Sequence, residues 1–326
     1  MSGNQPERCF VNWFITEKCN FSCDYCSIVN PRGFRGILHK IKKFVKRTPS
    51  RRFNLYDELD NVLDRFLETG MQVTFGFTGG EPFVYPRFLE ICSRIIEHEE
   101  FMIALDTNLA IGDIDRFIKR VPPDKVEYIF ASTHIQERER VGGGLDRFLN
   151  NIIKLKESGY RVDVNYVMYP PFFERVESDY RRFRERGVSL TIKPFKGVYR
   201  GRKYPAAYTA GEKDIIRSLS PDSSGEQIGP ARWFGMNCSA GRNLVRVLSN
   251  GDVVRCAGDF RALGNILTGF ELYDSSRPCI ARVCPCYSPE RLINGNRVAE
   301  KPGIASVIPA RLRERASRLR EWWHQQ

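Results

Sequence analysis

Residues 10–26 read FVNWFITEKCNFSCDYC, an apolar run followed at once by three closely spaced cysteines. The run is rich in aromatic and β-branched residues, which is typical of a buried strand. Similar runs recur through the first two-thirds of the chain, with helical patterns between them. The predicted strands are residues 10–16, 72–77, 102–107, 126–132, 162–168 and 189–194, and the predicted helices are residues 55–69, 87–99, 113–120, 145–158 and 173–186.

Alternating strands and helices predict an α/β fold, because each helix returns the chain so that the next strand runs parallel to the last. In such a fold the helices cover the outer side of the sheet, and the functional loops follow the carboxyl ends of the strands. Six units close less fully than the eight of a complete barrel. We therefore expect an open, partial (βα)6 barrel.

The cysteine loop after the first strand has the spacing of an iron–sulfur site. Cys19, Cys23 and Cys26 can hold three irons of a 4Fe–4S cluster, which leaves one iron open to an exogenous ligand. Structural zinc is the alternative interpretation. Zinc prefers four ligands in a closed tetrahedron, and no further Cys or His follows at a usual spacing.

A second motif, Thr78-Gly79-Gly80-Glu81-Pro82, follows the second predicted strand. With the cysteine loop it resembles the radical S-adenosylmethionine (SAM) superfamily, and the resemblance extends over the strand–helix units to about residue 195. The resemblance implies that SAM chelates the open iron through its amino and carboxylate groups. It also implies reductive cleavage of SAM to methionine and a 5′-deoxyadenosyl radical, which abstracts hydrogen from the substrate.

The resemblance also implies candidate SAM-binding residues. The two glycines allow the backbone to approach a ligand closely, and Glu81 with neighbouring carbonyls offers acceptors for the methionyl ammonium. Tyr25 matches the family's aromatic position beside adenine. His134 is equally interpretable as an ordinary hydrogen-bonded residue at a strand end, and the sequence indicates no general base. Further predicted strand ends that face the same mouth contribute the rest, so the full candidate set is Tyr25, Gly79, Gly80, Glu81, Pro82, Asn108, Ser132, His134, Asn165 and Lys193.

A second group of cysteines lies near the carboxyl end of the chain. A hairpin signal, Asn250-Gly251, stands among these cysteines. Their spacing and the stretch 263–266 resemble the twitch or SPASM extension of the same superfamily, which implies one auxiliary 4Fe–4S cluster. Cys238 and Cys256 are the assigned ligands and the remaining choice stays open, with a zinc hairpin as the alternative. The candidates are Cys238, Cys256, Cys279, Cys284 and Cys286.

The cysteine groups and a turn-rich stretch at residues 197–229 suggest how the chain is divided. We expect a radical SAM core at residues 1–205, an auxiliary cluster domain at 206–310 and a helical tail at 311–326. Cys92 is interpreted as a buried small hydrophobe, and Cys9 has no assigned role.

Composition limits the class of protein. The chain has 326 residues, 42% hydrophobic and 28% charged, so it can bury a core and is not a disordered chain. It has no run of about 18 apolar residues and no apolar signal segment after its polar start, which predicts a cytoplasmic protein. Its ten cysteines then indicate metal ligands rather than disulfides.

The net charge of +12 is concentrated in residues 32–52, a basic amphipathic insertion that contains no acidic residue. Three interpretations remain open: an insertion packed by its apolar face, a clamp for an anionic substrate such as a nucleotide, phosphorylated sugar or RNA, and a helix on an anionic membrane.

The sequence supports one main functional hypothesis, an oxidative, dehydrogenase-like transformation of a small anionic molecule with the auxiliary cluster as electron acceptor. A reductant such as flavodoxin or ferredoxin would supply the electron for SAM cleavage. One alternative is a maturase that crosslinks or epimerises a ribosomal peptide. Another is an iron–sulfur electron carrier, which the Gly79-Gly80-Glu81-Pro82 motif disfavours because a carrier needs no SAM pocket.

Overall fold

The computed structural model describes residues 7–26, 54–140, 143–219, 234–281 and 284. The basic insertion at 32–52, the tail at 311–326 and Cys286 lie outside the described residues. Six parallel strands form the centre of the fold, and each matches a predicted strand within a few residues. They are β1 (Arg8–Thr16), β2 (Gln72–Gly79), β3 (Phe101–Thr107), β4 (Val126–Ser132), β5 (Val162–Met168) and β6 (Leu190–Pro194).

Helices follow the strands in the predicted order. Short 3₁₀ helices at Pro82–Val84, Pro123–Lys125 and Pro170–Phe172 begin with proline, which fits the first helical position because its missing N–H is not needed there. The α-helices are α1 (Leu59–Leu67), α2 (Phe88–Ile95), α3 (Ile114–Arg120), α4 (Ile135–Glu139), α5 (Gly144–Glu157), α6 (Val176–Glu185) and α7 (Ala210–Ser218).

The sequence interpretation missed two of these helices, α4 and α7. Helix α7 lies in the stretch interpreted as turn-rich, after a two-stranded ribbon of β7 (Gly197–Tyr199) and β8 (Arg202–Tyr204). Thr209 accepts a hydrogen bond from the Glu212 N–H, and the Glu212 carboxylate accepts one from the Thr209 N–H. This reciprocal capping box is readable in sequence and is the signal that could have found the helix.

The carboxyl-terminal strands continue the same sheet. The predicted hairpin at Asn250-Gly251 is present, joining β10 (Leu244–Val247) to β11 (Asp252–Cys256). The remaining strands are β9 (Asn237–Cys238), β12 (Asp259–Asn265), β13 (Gly269–Phe270) and β14 (Arg277–Pro278). Strand β10 pairs in parallel with β1, so the described residues form a ten-stranded sheet in the order β13-β12-β11-β10-β1-β2-β3-β4-β5-β6.

One face of the sheet carries the main apolar core. On β1, Val11 and Trp13 are fully buried, and the Trp13 ring packs against Phe75 and Phe77 of β2. Because strand side chains alternate, the other residues of β1, such as Phe10 and Asn12, point to the opposite, inner face of the partial barrel. The α/β fold and its open, partial barrel form are confirmed. No helix among the described residues has the length and apolar content needed to cross a membrane.

An aromatic stack lies on the inner face of the partial barrel. The Phe10 ring of β1 stacks against Tyr128 of β4 at 6.3 Å, and Tyr128 stacks against Phe130 at 4.2 Å. Gly76 of β2 makes room for Phe10, because a Cβ there would lie 2.4 Å from the ring carbon Cζ. The small residue at position 76 therefore allows the aromatic stack to form.

Replacing Gly76 by alanine should destabilise the fold. We expect Gly76→Ala to lower the free energy of unfolding of the reduced apoprotein by about 1–3 kcal/mol, because the Phe10 ring must move. Urea denaturation measures this. The matched control is Gly211→Ala in α7, where a Cβ meets nothing within 4 Å. Alanine at this position should raise the free energy of unfolding by about 0.5–1 kcal/mol. Equal effects at both positions would contradict the packing explanation.

Candidate active site at the carboxyl ends of the parallel strands

The cysteine loop lies directly after β1, as predicted. The Cys19 sulfur accepts a hydrogen bond from the Phe21 N–H at 3.4 Å. Asn108, just after β3, places its amide Nδ2 3.8 Å from the same sulfur and 2.9 Å from Asn20 Oδ1. The loop is thus held from within and from the end of another strand.

His134 and Tyr25 pack around the second cysteine. The His134 Nδ1 atom lies 3.2 Å from the Cys23 sulfur and 2.9 Å from the Tyr25 hydroxyl. The two rings stack with centroids 5.9 Å apart, and the Tyr25 ring also packs against Tyr169 and Phe172. Burial and the charge of Arg138 lower the pKa of His134 to about 3, so its imidazole is neutral. His134 therefore supports the cysteine loop.

The glycine motif pairs with the backbone of the cysteine loop. The Gly80 N–H donates to the Thr16 carbonyl at 2.7 Å, and the Glu81 N–H donates to the Lys18 carbonyl at 2.9 Å. A Cβ on Gly80 would lie 1.9 Å from the Lys18 oxygen, and Gly79 has a φ of 129° that favours glycine. The close approach seen here is to the loop itself, and approach to a ligand stays a prediction.

The Glu81 side chain is buried and links the second and third strands. Its carboxylate accepts hydrogen bonds from the Thr107 hydroxyl at 2.7 Å, the Asn108 N–H at 2.7 Å and the Phe83 N–H at 3.3 Å. Burial raises the pKa of Glu81 to about 6, although these hydrogen bonds act in the opposite direction. Pro82 is buried and begins the 3₁₀ helix that follows.

Arg138 is a site residue that the sequence interpretation missed. Its guanidinium is buried and donates to the carbonyls of Ser132, Thr133 and Asn108, which joins the ends of β4 and β3. Its cationic carbon lies 3.6 Å from the centroid of the Phe148 ring. The sequence around Arg138 has the charged composition of an ordinary surface helix, so no local signal marks Arg138 as buried.

The last three candidates lie on β4, β5 and β6. Asn165 is in the middle of β5, yet the stagger of the strands pairs it with Ser132, the last residue of β4. The Asn165 Oδ1 atom is buried and has no hydrogen-bond partner among the described residues. The Lys193 ammonium of β6 lies 5.9 Å from the centroid of the Phe130 ring.

The chemistry of the cysteine loop fits an iron–sulfur cluster. Burial raises the pKa of Cys23 to about 12, with contributions from Glu137, Cys26 and Cys19, and burial also raises the pKa of Cys19. Burial and mutual repulsion disfavour the thiolate forms, and a bound metal cation that compensates their charge would reverse this. None of the nine cysteines in the described residues forms a disulfide.

Among the residues described, no three His, Cys, Asp or Glu side chains converge on a point that would hold a single metal ion. The thiolates of a 4Fe–4S cluster bind different irons, so its ligands need not share one point.

Residues 13–183 match the model of the radical SAM superfamily, which is more than half of the chain. The chain belongs to the radical SAM superfamily. The family predicted from the two motifs is confirmed, and membership means that this radical SAM protein uses a 4Fe–4S cluster and SAM.

Curated relatives agree with this assignment. The chain is similar to a GTP 3′,8-cyclase of Haemophilus ducreyi, with 25% identity over 309 residues that cover 85% of this chain and 84% of the relative. It is also similar to a GTP 3′,8-cyclase of Aquifex aeolicus, with 28% identity over 192 residues that cover 56% of this chain and 55% of the relative.

Solved structures share the fold. The structure of histidine-tagged anSMEcpe with bound AdoMet has a TM-score of 0.55 and 19% identity, covering 83% of this chain and 81% of that chain. Native anSMEcpe with bound AdoMet has a TM-score of 0.53 and 17% identity, covering 80% and 78%. At these identities the likeness shows the fold of this radical SAM protein.

The second cysteine group is distributed over three neighbouring segments. Cys238 of β9 pairs with Arg277 of the antiparallel strand β14. Arg277 precedes Cys279 by two residues. Cys279 exchanges backbone hydrogen bonds with Gly235 and Met236, on the segment that leads to Cys238. Cys256 ends β11 and accepts a hydrogen bond from the Gly258 N–H at 3.4 Å.

The remaining cysteines are not part of either group. Cys92 is fully buried in α2 and burial raises its pKa, in agreement with the prediction of a small buried hydrophobe. Cys9 is buried in β1 and burial raises its pKa to about 12.

The raised pKa of Glu81 gives a pH-dependent stability. Between its ordinary value of 4.5 and about 6, the folded protein binds the Glu81 proton more tightly than the unfolded chain does. The stabilising contribution is therefore complete below pH 4.5 and is lost as the pH rises through 6. Relative to Glu81→Gln, the free energy of unfolding of the wild-type apoprotein should fall by about 2 kcal/mol across this window.

Urea unfolding of the reduced apoprotein at several pH values measures this difference. Glu81→Gln serves as the reference because it has no titrating carboxyl at this position. A difference between the two proteins that stays constant from pH 4.5 to about 7 would show that the carboxyl titrates normally.

Proposed function

We propose that this radical SAM enzyme removes a hydrogen atom from a small anionic molecule of the nucleotide class and completes an oxidative transformation. The observation that carries the proposal is the three-cysteine loop at the mouth of the partial barrel, held by backbone hydrogen bonds from the glycine motif. A bound cluster and SAM would supply the 5′-deoxyadenosyl radical.

The residues around the mouth fit SAM. Cys19, Cys23 and Cys26 would hold the cluster, and the carbonyls of the glycine motif would accept from the methionyl ammonium. The Glu81 carboxylate already accepts three hydrogen bonds, so its contribution would be to orient those carbonyls. Asn165 presents a buried acceptor that a bound ligand could satisfy.

Two cationic side chains support an anionic substrate. Arg246 of β10 donates from Nε to Asn12 Oδ1 at 2.9 Å, while its strand neighbours Val245 and Val247 are fully buried in the core. Alternation along the strand therefore directs Arg246 to the inner face. Lys193 lies beside Phe130 of the inner aromatic stack, on β6 at the far edge of the sheet from β10. The relatives named GTP 3′,8-cyclase make a nucleoside triphosphate the first substrate to test.

The second cysteine group supports an auxiliary 4Fe–4S cluster. Cys238, Cys256 and Cys279 lie on segments that pair with or adjoin one another, and Cys284 follows closely in sequence. A cluster with four protein ligands has no open iron, which suits electron transfer. It would accept the electron that the substrate radical loses together with a proton. This loss of a second electron would make the overall reaction oxidative.

Anaerobic reconstitution tests the proposal. We expect about eight irons per chain, two 4Fe–4S clusters, and 5′-deoxyadenosine from SAM and dithionite. Cys23→Ala should abolish 5′-deoxyadenosine while keeping the auxiliary iron. Cys256→Ala should reduce the iron to about four while SAM cleavage continues. Cys92→Ala is the matched control, because Cys92 lies outside both groups.

The substrate class is tested in the same assay by adding nucleoside triphosphates or short peptides. Consumption of a triphosphate, weakened by Lys193→Gln and by added salt, would support the proposal. Consumption of a peptide instead would replace it with the maturase interpretation. Iron without any SAM cleavage would favour an electron carrier.

Asn165 provides a separate test of the SAM pocket. Asn165→Leu, which keeps the volume but removes the acceptor, should weaken SAM binding about tenfold, the loss of roughly one hydrogen bond. Equilibrium dialysis of labelled SAM against the reconstituted protein measures this. Asn243→Leu is the matched control, because Asn243 Oδ1 is also buried without a partner among the described residues but lies before β10. Equal SAM affinity in all three proteins would remove Asn165 from the pocket.

A further inference from the structure

A buried arginine connects the segments that carry the second cysteine group. Arg255 of β11 is 1% exposed and immediately precedes Cys256. A guanidinium is planar and carries a fork of N–H donors with fixed directions. Full burial of such a group is costly unless these donors find acceptors.

The donors of Arg255 reach three carbonyls on two separate stretches of backbone. Nε donates to the Ala240 carbonyl at 3.0 Å, two residues after Cys238. Nη1 donates to the Pro278 carbonyl at 3.0 Å, and Nη2 donates to the Arg277 carbonyl at 2.7 Å, both just before Cys279. One side chain therefore joins the backbone beside Cys238, Cys256 and Cys279.

The charge of Arg255 is compensated by a buried carboxylate. Nη1 lies 3.0 Å from Asp259 Oδ2, and Asp259 is 4% exposed. Asp259 follows Cys256 by three residues, so this ion pair also fixes the turn after that cysteine. Arg261 pairs with the same carboxylate at 2.6 Å from a half-exposed position.

Neighbouring contacts restrict the same region. The Tyr273 ring lies where a Cβ on Gly241 would stand, at 2.6 Å, and the Tyr273 N–H donates to the Gly241 carbonyl at 2.7 Å. The Arg277 guanidinium lies 3.6 Å from the centroid of the Tyr273 ring. The two stretches that Arg255 contacts, at Ala240 and at 277–278, are thus held by neighbouring contacts as well.

We propose that Arg255 is a positioning residue that pre-forms the auxiliary cluster site by holding the Cys238, Cys256 and Cys279 segments in one arrangement. The inference rests on the auxiliary cluster of the proposed function. Residues that orient ligands without binding the metal typically change metal affinity by about 10–100-fold when replaced. Lysine keeps the charge of Arg255 but lacks the planar fork, so it cannot serve both backbone stretches and the Asp259 carboxylate together.

The test compares Arg255→Lys and Arg255→Gln with wild type and with Arg261→Lys as the matched control. Each full-length protein is reconstituted anaerobically with limiting iron and sulfide, and the two clusters are counted separately by Mössbauer and EPR spectroscopy. We expect both Arg255 variants to lower the apparent iron affinity of the auxiliary site by about 10–100-fold and to release that iron faster to a chelator. The SAM cluster and its cleavage of SAM should match those of wild type, whereas the apoprotein melting temperature should fall in both Arg255 variants because buried acceptors lose their donor.

Several outcomes would overturn the inference. Retention of both clusters with wild-type release rates in Arg255→Lys would show that the fork is not needed. Loss of both clusters, or of SAM cleavage, would show a general role in folding. An equal loss in Arg261→Lys would assign the effect to the charge around Asp259. A wild-type protein with about four irons, or a Cys256→Ala variant with about eight, would instead refute the auxiliary cluster itself.

Discussion

The backbone pairing between the glycine motif and the cysteine loop is the constraint on which the active site depends. Two hydrogen bonds, from Gly80 to Thr16 and from Glu81 to Lys18, bring the loop after β1 against the loop after β2. They form because positions 79 and 80 carry no side chain. The same segment then places the Glu81 carboxylate under the end of β3, so three strand ends are fixed together.

Buried arginines perform a similar task at both cysteine groups. Irregular backbone beyond a strand end has carbonyls with no ladder partner, and each must find a donor when it is buried. Arg138 serves the carbonyls at the ends of β3 and β4, and Arg255 serves those beside the second group. A guanidinium suits this role because its donors diverge in one plane and reach several chain segments at once.

The sheet itself relates the two groups. Strand β10 pairs in parallel with β1, so the hairpin that ends at Cys256 is an extension of the sheet that carries the first cysteine loop. The inner face then receives Arg246 from this extension and Lys193 from β6, so cationic groups flank the parallel strands on both sides. The proposed recognition of an anionic substrate therefore depends on the joined sheet.

The sequence by itself determined the strand–helix alternation, the two motifs of the radical SAM family and the Asn250-Gly251 hairpin, because these depend on local periodicity and spacing. It also predicted Asn108, Ser132, His134, Asn165 and Lys193 at the mouth, since parallel strands end at one edge. Only the tertiary structure decided that Asn165 stands beside Ser132 through strand stagger, and that β10 joins β1. Arg138 and Arg255 have the same sequence appearance as surface arginines. Their burial depends on carbonyls brought together from distant parts of the chain, which no local pattern records.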